Sequence, residues 1–359
     1  MKILILGGTK FLGRALVDAA RAQGHELTLF NRGQQDPAAF PDVEQIHGDR
    51  QLPLGDPRGL GALFAADPAR QWDAAIDTAA YLPRDVSAML SALAGHVAHY
   101  TFVSSISAHA SHATPGQDET APVAQLTDAQ RAEVDAIPVG APLTSAQLGA
   151  LYGPLKAECE RLVVEAFGAQ ALVIRPGLIV GPHDPSERFT YWPLRMMRGG
   201  DVLAPGRPGR GVAFIDVRDL AEWMVRLVEQ RVGGTFLADG PAGAPVPIGH
   251  VLDACMRAAR QRGMPPARLV WAPDEWLLAH KVGPWMELPL WIPEFDPESA
   301  GFFDENCAKA RAAGLTFRSL EETVRATLDW ARARPPGVRG PAGMAPDTEG
   351  RLLVEISHS

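Results

Sequence analysis

Tyr152 and Lys156 stand four residues apart in Tyr152-Gly-Pro-Leu-Lys156, a spacing that sets a phenol and an ammonium on one face of a helix. A tyrosine ordinarily titrates near ~10, so acid–base work near neutrality needs help. An adjacent lysine cation favours the phenolate and lowers that value. Ser105, in Val103-Ser-Ser-Ile-Ser107, offers a hydroxyl that could hold a substrate oxygen. Pro154 costs a helical hydrogen bond, which places it in the first turn of a helix over 149–167.

A second constellation lies at the N-terminus. Residues 3–6 form an apolar run suited to a strand buried on both faces. The turn Gly7-Gly-Thr-Lys-Phe-Leu-Gly13 follows, and then a helix over 14–23 ended by Gly24. Strand, glycine turn and helix in that order aim backbone N–H groups at a helix N-terminus, where a pyrophosphate is held. Gly7, Gly8, Thr9, Lys10, Phe11, Leu12 and Gly13 are therefore candidate cofactor contacts. Lys10 occupies the place of a second glycine, and its ammonium could reach a phosphate. At the end of the second strand, Asn31-Arg32-Gly33 stands where an Asp or Glu usually binds the ribose hydroxyls of NAD. Without that carboxylate a 2′-phosphate meets no repulsion, and the Arg32 fork suits it. Lys10 and Arg32 together favour NADP(H), with NAD(H) as the alternative. Asp49 could accept from an adenine amino group or simply begin a turn.

Such residues need a scaffold. Strands are expected at 26–31, 43–49, 72–77 and 99–103, with helices near 60–66 and over 84–94. This alternation argues for a doubly wound parallel sheet. Residues 110–147 read as a long excursion at its carboxyl edge. A sixth strand is expected at 171–175, a helix at 188–198 and a short strand at 211–216. A helix over 217–230, a strand at 235–238 and helices at 248–262, 274–281 and 320–332 follow. The Pro/Gly-rich tail has at most a short element at 346–356, and no internal repeat is found.

At 359 residues the chain is long enough for one large domain or two intimate ones. Its net charge of −8 argues against a nucleic-acid surface. No apolar run reaches membrane-spanning length, and a strand from residue 2 leaves no room for a signal peptide. Cys159, Cys255 and Cys307 form no CxxC pair and read as packing residues in a reducing cytoplasm. No histidine spacing suits zinc, so no metal is expected.

The motifs together resemble the short-chain dehydrogenase/reductase superfamily, in its extended or atypical branch of NAD-dependent epimerases/dehydratases. The resemblance is carried by the Gly7–Gly13 loop, Asn31-Arg-Gly33, Gly48-Asp-Arg50, Val103-Ser-Ser-Ile-Ser107, Tyr152-Gly-Pro-Leu-Lys156, Arg175-Pro-Gly-Leu-Ile-Val-Gly-Pro182 and Phe214-Ile-Asp-Val-Arg-Asp-Leu-Ala221. It implies a Rossmann-type α/β fold with a smaller interleaved C-terminal substrate domain. The cofactor domain would span 1–178 plus about 212–238, the substrate domain 179–211 plus 239–333, and the tail 334–359. Tyr152 would be the acid–base group, Lys156 would bind the nicotinamide ribose and tune the tyrosine, and Ser105 would orient the substrate. Arg175 and Pro176 would line the nicotinamide side, and Arg50 and Ala79 join the cofactor set. Ser107, His109, Glu119, His183, Asp184, Arg188, Tyr191 and Trp192 are the candidates for facing the substrate. Trp285, Trp291 and Phe295 read as small-domain core, with an apolar pocket wall as the alternative.

Two departures bear on the reaction. Sugar-nucleotide epimerases of this superfamily carry a substrate-holding Asn and an Arg at the positions that are Leu178 and Val212 here. The Lys10 loop resembles a subgroup often labelled reductase. The expectation is an NAD(P)-dependent oxidoreductase acting on a carbonyl or hydroxyl of a small molecule, in the cytoplasm, with dimers through Rossmann helices common in the superfamily. The alternatives are a nucleotide-sugar epimerase or dehydratase with retained NAD, and a non-catalytic nucleotide-binding or RNA-associated protein.

Overall fold

A computed structural model describes residues 1–36, 38–52, 55–141, 143–240, 245–335, 337–338 and 340–358. Six strands, β1 (Lys2–Leu6), β2 (Glu26–Asn31), β3 (Glu44–His47), β4 (Trp72–Asp77), β5 (Val97–Val103) and β6 (Ala171–Pro176), form a sheet with a seventh, Gly234–Ala238. All pairings are parallel, and the spatial order is Gly234–Ala238, β6, β5, β4, β1, β2, β3. The chain winds outward from β1 to β3, then returns to β4 on the other side of β1. Successive crossovers therefore diverge at the carboxyl ends of β1 and β4, where a Rossmann sheet opens its crevice.

Ile3, Leu4 and Ile5 have no exposed surface, as a strand covered by helices on both faces requires. Helices α1 (Phe11–Ala22) and Val217–Glu229 cover one face, burying Leu16, Val17, Leu220 and Trp223 against the strands. Helices α2 (Pro83–Leu93) and, beyond the small α3 (Asp128–Asp135), α4 (Ser145–Phe167) cover the other. The expected helix near 60–66 is a 3-10 turn, Leu60–Phe64. No helix among the described residues is long and apolar enough to cross a membrane.

Helix α4 starts earlier than its sequence suggests. Thr144 accepts from the Gln147 amide, and the Gln147 side chain accepts from the Thr144 amide, a capping box that fixes the N-terminus. Pro154 consequently lies mid-helix rather than in the first turn. It leaves the Ala150 carbonyl without its helical donor, and Ala150 is exposed, so water takes that place.

A second hydrophobic core gathers Trp192, Met196, Val202, Leu252, Leu288, Trp291, Leu328 and Leu352, all fully buried. It includes a parallel strand pair, Gly200–Pro205 with Ala267–Ala272, which no sequence signal marked. The stretch from 334 holds a full helix, Pro346–Ile356, packed into this core. Its Glu349 carboxylate takes the Arg195 Nε at 2.7 and 2.8 Å and the Leu203 amide at 3.3 Å. Both side chains of that ion pair are buried. Glu349→Ala would strand the Arg195 charge, so it is expected to lower unfolding free energy by about 3–5 kcal/mol. Urea denaturation checks this, and a loss within the scatter of surface substitutions would show that the pair does not hold the helix.

Candidate dinucleotide and acid–base site

At the end of β1 the backbone turns through two positive φ angles, +114° at Gly7 and +91° at Gly8, which favour glycine. A Cβ at Gly7 would lie 2.6 Å from the Thr78 hydroxyl, and one at Gly13 would lie 2.6 Å from the Gly8 nitrogen. The loop therefore has no room for side chains where it meets β4 and the start of α1. Lys10 is the N-cap residue, yet no side chain caps this helix, so the N–H groups of its first turn remain available to an anion.

Around this cradle the other candidates divide. Asn31 accepts from the Gly33 amide at 2.7 Å, and its Nδ2 is buried without a partner. Lys10 and Arg32 are exposed. Asp49 takes the turn role, accepting from the Gln51 amide at 3.0 Å. Arg50 is not free for a cofactor. It forks onto Asp77 at 2.9 and 3.1 Å, because that fully buried carboxylate needs a counter-charge. Asp77 also accepts from the Tyr100 hydroxyl at 2.8 Å and the Ala79 amide at 3.1 Å. Burial, reinforced by Asp77, holds the Tyr100 phenol well above its ordinary range. Ala79 is thus fixed at the crevice, with its amide already engaged.

Arg175 departs from its expected place as well. Its guanidinium forks onto Glu160 at 2.6 and 2.9 Å, both side chains being buried between β6 and α4. It ties helix to sheet, and its Nη1 is buried without a partner. Pro176 closes β6 and is buried.

The acid–base group is assembled from β5 and α4. Ser105 follows β5 and accepts from the Ser107 amide at 3.1 Å. Gly153 brings α4 against this turn, since a Cβ there would lie 2.1 Å from the Ser107 carbonyl oxygen. Tyr152 thereby meets Ser105. Burial pushes the Tyr152 phenol up, while the hydrogen bond with Ser105 and the charge of Arg188 pull it down. Lys156 lies on the same helical face, its ammonium 5.9 Å from the Tyr152 ring centroid. Its ammonium donates to the Ala80 and Val103 carbonyls, each at 2.9 Å. It sits 4.9 Å from the Tyr81 and Phe102 ring centroids, against 5.9 Å for Tyr152. Burial lowers the Lys156 pKa, with Tyr81 the largest opposing influence.

Arg188 is a further cation near Tyr152. It stacks 4.6 Å from the Trp285 ring centroid, and its Nε donates to Ser186 Oγ at 3.1 Å. Among the described residues no carboxylate lies within ion-pair distance of its guanidinium. Burial lowers its pKa, and Asp184 and Tyr152 raise it. The role of Trp285 as its platform was missed in sequence, where only the density of aromatics pointed to that segment.

Several expected substrate contacts are structural. Glu119 accepts from the Leu237 amide at 2.8 Å, tying the excursion to the seventh strand. Tyr191 packs edge-on against Trp192 at 4.9 Å, and Trp192 donates to the Pro289 carbonyl, both inside the second core. Asp184 is buried and accepts from Ser186. His183 stacks on Trp330 and lines a groove of about 450 Å³ between α1 and Val217–Glu229. Ser107 offers its carbonyl to the Gly153 approach. His109 is buried beside Glu305. Trp291 is core, donating to Asp274, and Phe295 is exposed.

The chain belongs to the NAD dependent epimerase/dehydratase family, whose model matches residues 3–237, and so to the short-chain dehydrogenase/reductase type of enzyme. It is similar to a 2-alkyl-3-oxoalkanoate reductase of Stenotrophomonas maltophilia, 29% identical over 74% of this chain and 86% of that protein. In structure it is similar to a putative epimerase from Burkholderia cenocepacia (TM-score 0.64, 19% identity, 93% of this chain and 98% of that one). It is also similar to the Thermus thermophilus UDP-glucose 4-epimerase solved with NAD (TM-score 0.59, 18% identity, 93% and 100%).

If Arg188 is the cation that stabilises the phenolate, Arg188→Met moves the Tyr152 ionisation further up. Lys156→Met moves it less. Ultraviolet tyrosinate titration, with Tyr152→Phe as the subtraction, reads both shifts, and the reverse order would return the tuning to Lys156.

Proposed function

We propose that the chain is an NADP(H)-dependent oxidoreductase acting on the carbonyl or hydroxyl group of a small oxo or hydroxy acid. The observation that carries this is the Tyr152–Ser105 pair beside Arg188, a half-buried cation that forms no ion pair among the described residues. The buried, unpartnered Nδ2 of Asn31, the uncapped α1 and the glycine cradle fit a dinucleotide. When bound, the nicotinamide supplies or accepts the hydride. Ser105 holds the substrate oxygen, and Tyr152 gives that oxygen its proton in reduction or takes it in oxidation. Lys156 spends two of its three donors on backbone carbonyls, which leaves one for a ribose hydroxyl. Arg188 binds the anionic end of the substrate and, as a cation next to Tyr152, eases formation of the phenolate.

The reductase relative supports this reading, since its named substrate carries both an oxo group and a carboxylate. Leu178 and Val212, at the epimerase positions for a substrate-holding Asn and Arg, are buried in the second core and offer no polar group to a sugar nucleotide. The exposed Lys10 and Arg32 favour a 2′-phosphate. Three buried free thiols, Cys159, Cys255 and Cys307, are consistent with a reducing, cytoplasmic setting.

Tyr152→Phe is expected to lower turnover of a responsive 3-oxo acid by roughly 10²–10⁴-fold with NADPH affinity unchanged. Steady-state kinetics and fluorescence titration measure the two, and full turnover in the variant would refute the role. Arg32→Ala should weaken NADPH binding by at least about tenfold more than NADH binding, the loss of a charge-assisted phosphate contact. Equal weakening of both would remove the case for NADP.

A further inference from the structure

Beyond the acid–base site, His109, His112 and Glu305 form a cluster that the proposed chemistry does not use. His109 follows the 3-10 turn Ile106–Ala108 that Ser105 begins, and Glu305 arrives from a segment almost two hundred residues later. Nδ1 of each histidine lies 3.3 Å from Glu305 Oε1, and one ligand atom from each residue lies within 4.8 Å of the others. His109 is 3% exposed, and neither of its ring nitrogens makes a hydrogen bond. The Glu305 side chain is fully buried, and its Oε2 has no partner. Buried polar atoms left unsatisfied are costly, and each needs an explanation.

We propose that His109, His112 and Glu305 bind a divalent transition-metal ion of the zinc type. Two imidazoles and a carboxylate are a borderline-soft donor set that suits Zn²⁺ or Co²⁺, whereas Mg²⁺ and Ca²⁺ prefer oxygen ligands throughout. A cation there gives one of the bare His109 nitrogens and the Glu305 carboxylate a common partner. Backbone bonds already hold the two segments together. The Gly301 amide donates to the His112 carbonyl at 2.6 Å, Gly116 to Asp304 at 2.6 Å and Asn306 to Gln117 at 2.8 Å. Gln117 Nε2 also donates to Glu305 Oε1 at 3.3 Å, which orients the carboxylate as outer partners of metal ligands do.

The ion would brace the pocket wall and take no part in the chemistry. Phe302 packs edge-on against both His112, at 5.1 Å, and Trp285, at 5.3 Å, and Trp285 carries Arg188. From sequence no metal was expected, because His109-x-x-His112 is an incomplete site and Glu305 is remote along the chain.

The test uses full-length protein without a polyhistidine tag, stripped with chelator and titrated with Zn²⁺ and Co²⁺. One ion per chain is expected by calorimetry, with visible Co²⁺ bands of a tetrahedral site and a rise in Tm on loading. His112→Gln, at the more exposed ligand, should weaken Zn²⁺ affinity at least tenfold while the metal-free protein keeps its Tm. Glu305→Gln should do the same or more. Absence of stoichiometric binding overturns the proposal, as does Zn²⁺ binding that survives both substitutions, which would put the ion elsewhere. None of these readouts depends on turnover, so they stand apart from the fate of the proposed activity.

Discussion

Asp77 holds a carboxylate with no solvent exposure at the end of β4, and the crevice is organised around its need for donors. Arg50 gives two, Tyr100 one and the Ala79 amide another. A buried charge is tolerated only when paired and fully hydrogen-bonded, so each partner is locked into a single arrangement. Thr78 donates to the Leu6 carbonyl at 2.9 Å and stands against Gly7. This contact fixes the distance between the β4 turn and the glycine loop. Ala80, which closes that turn, then receives the Lys156 ammonium. Cofactor cradle and catalytic helix are thus referred to one carboxylate beneath both.

Local signals were legible where the chain's own neighbours decide the outcome. Parallel strands covered on both faces read as apolar runs, and β1, β2, β4 and the 235–238 strand fall where those runs predict. The glycine loop was legible because its constraint is steric and spans only seven residues. Other features depend on tertiary partners. Arg50 and Arg175, which the family resemblance puts among the cofactor contacts, also fork onto Asp77 and Glu160, partners remote in sequence. Lys156, which four-residue spacing sets beside Tyr152, also donates to the Ala80 and Val103 carbonyls, partners no local pattern announces. Gly200–Pro205 and Ala267–Ala272 pair across more than sixty residues, with neither carrying a turn signal that links it to the other.

The division between the two cores bears on how family membership translates into chemistry. The family match over residues 3–237 takes in the sheet, its helices and part of the second core. What separates a reductase reading from an epimerase reading lies in the second core, where Leu178 and Val212 pack as hydrophobic residues. Fold alone therefore leaves the reaction open.

The close approach at Gly153 has a consequence for how this enzyme could diversify. With its Cα hydrogen against the Ser107 carbonyl, no methyl group separates the α4 helix from the serine turn, so the phenol–hydroxyl geometry has no adjustable spacer. Mutational drift on that side is met with steric exclusion. On the side of Arg188 and Trp285 the contact is between two long side chains. Exchange of side chains is expected to be easier there than beside Gly153, where the candidate Tyr152–Ser105 pair has no such freedom.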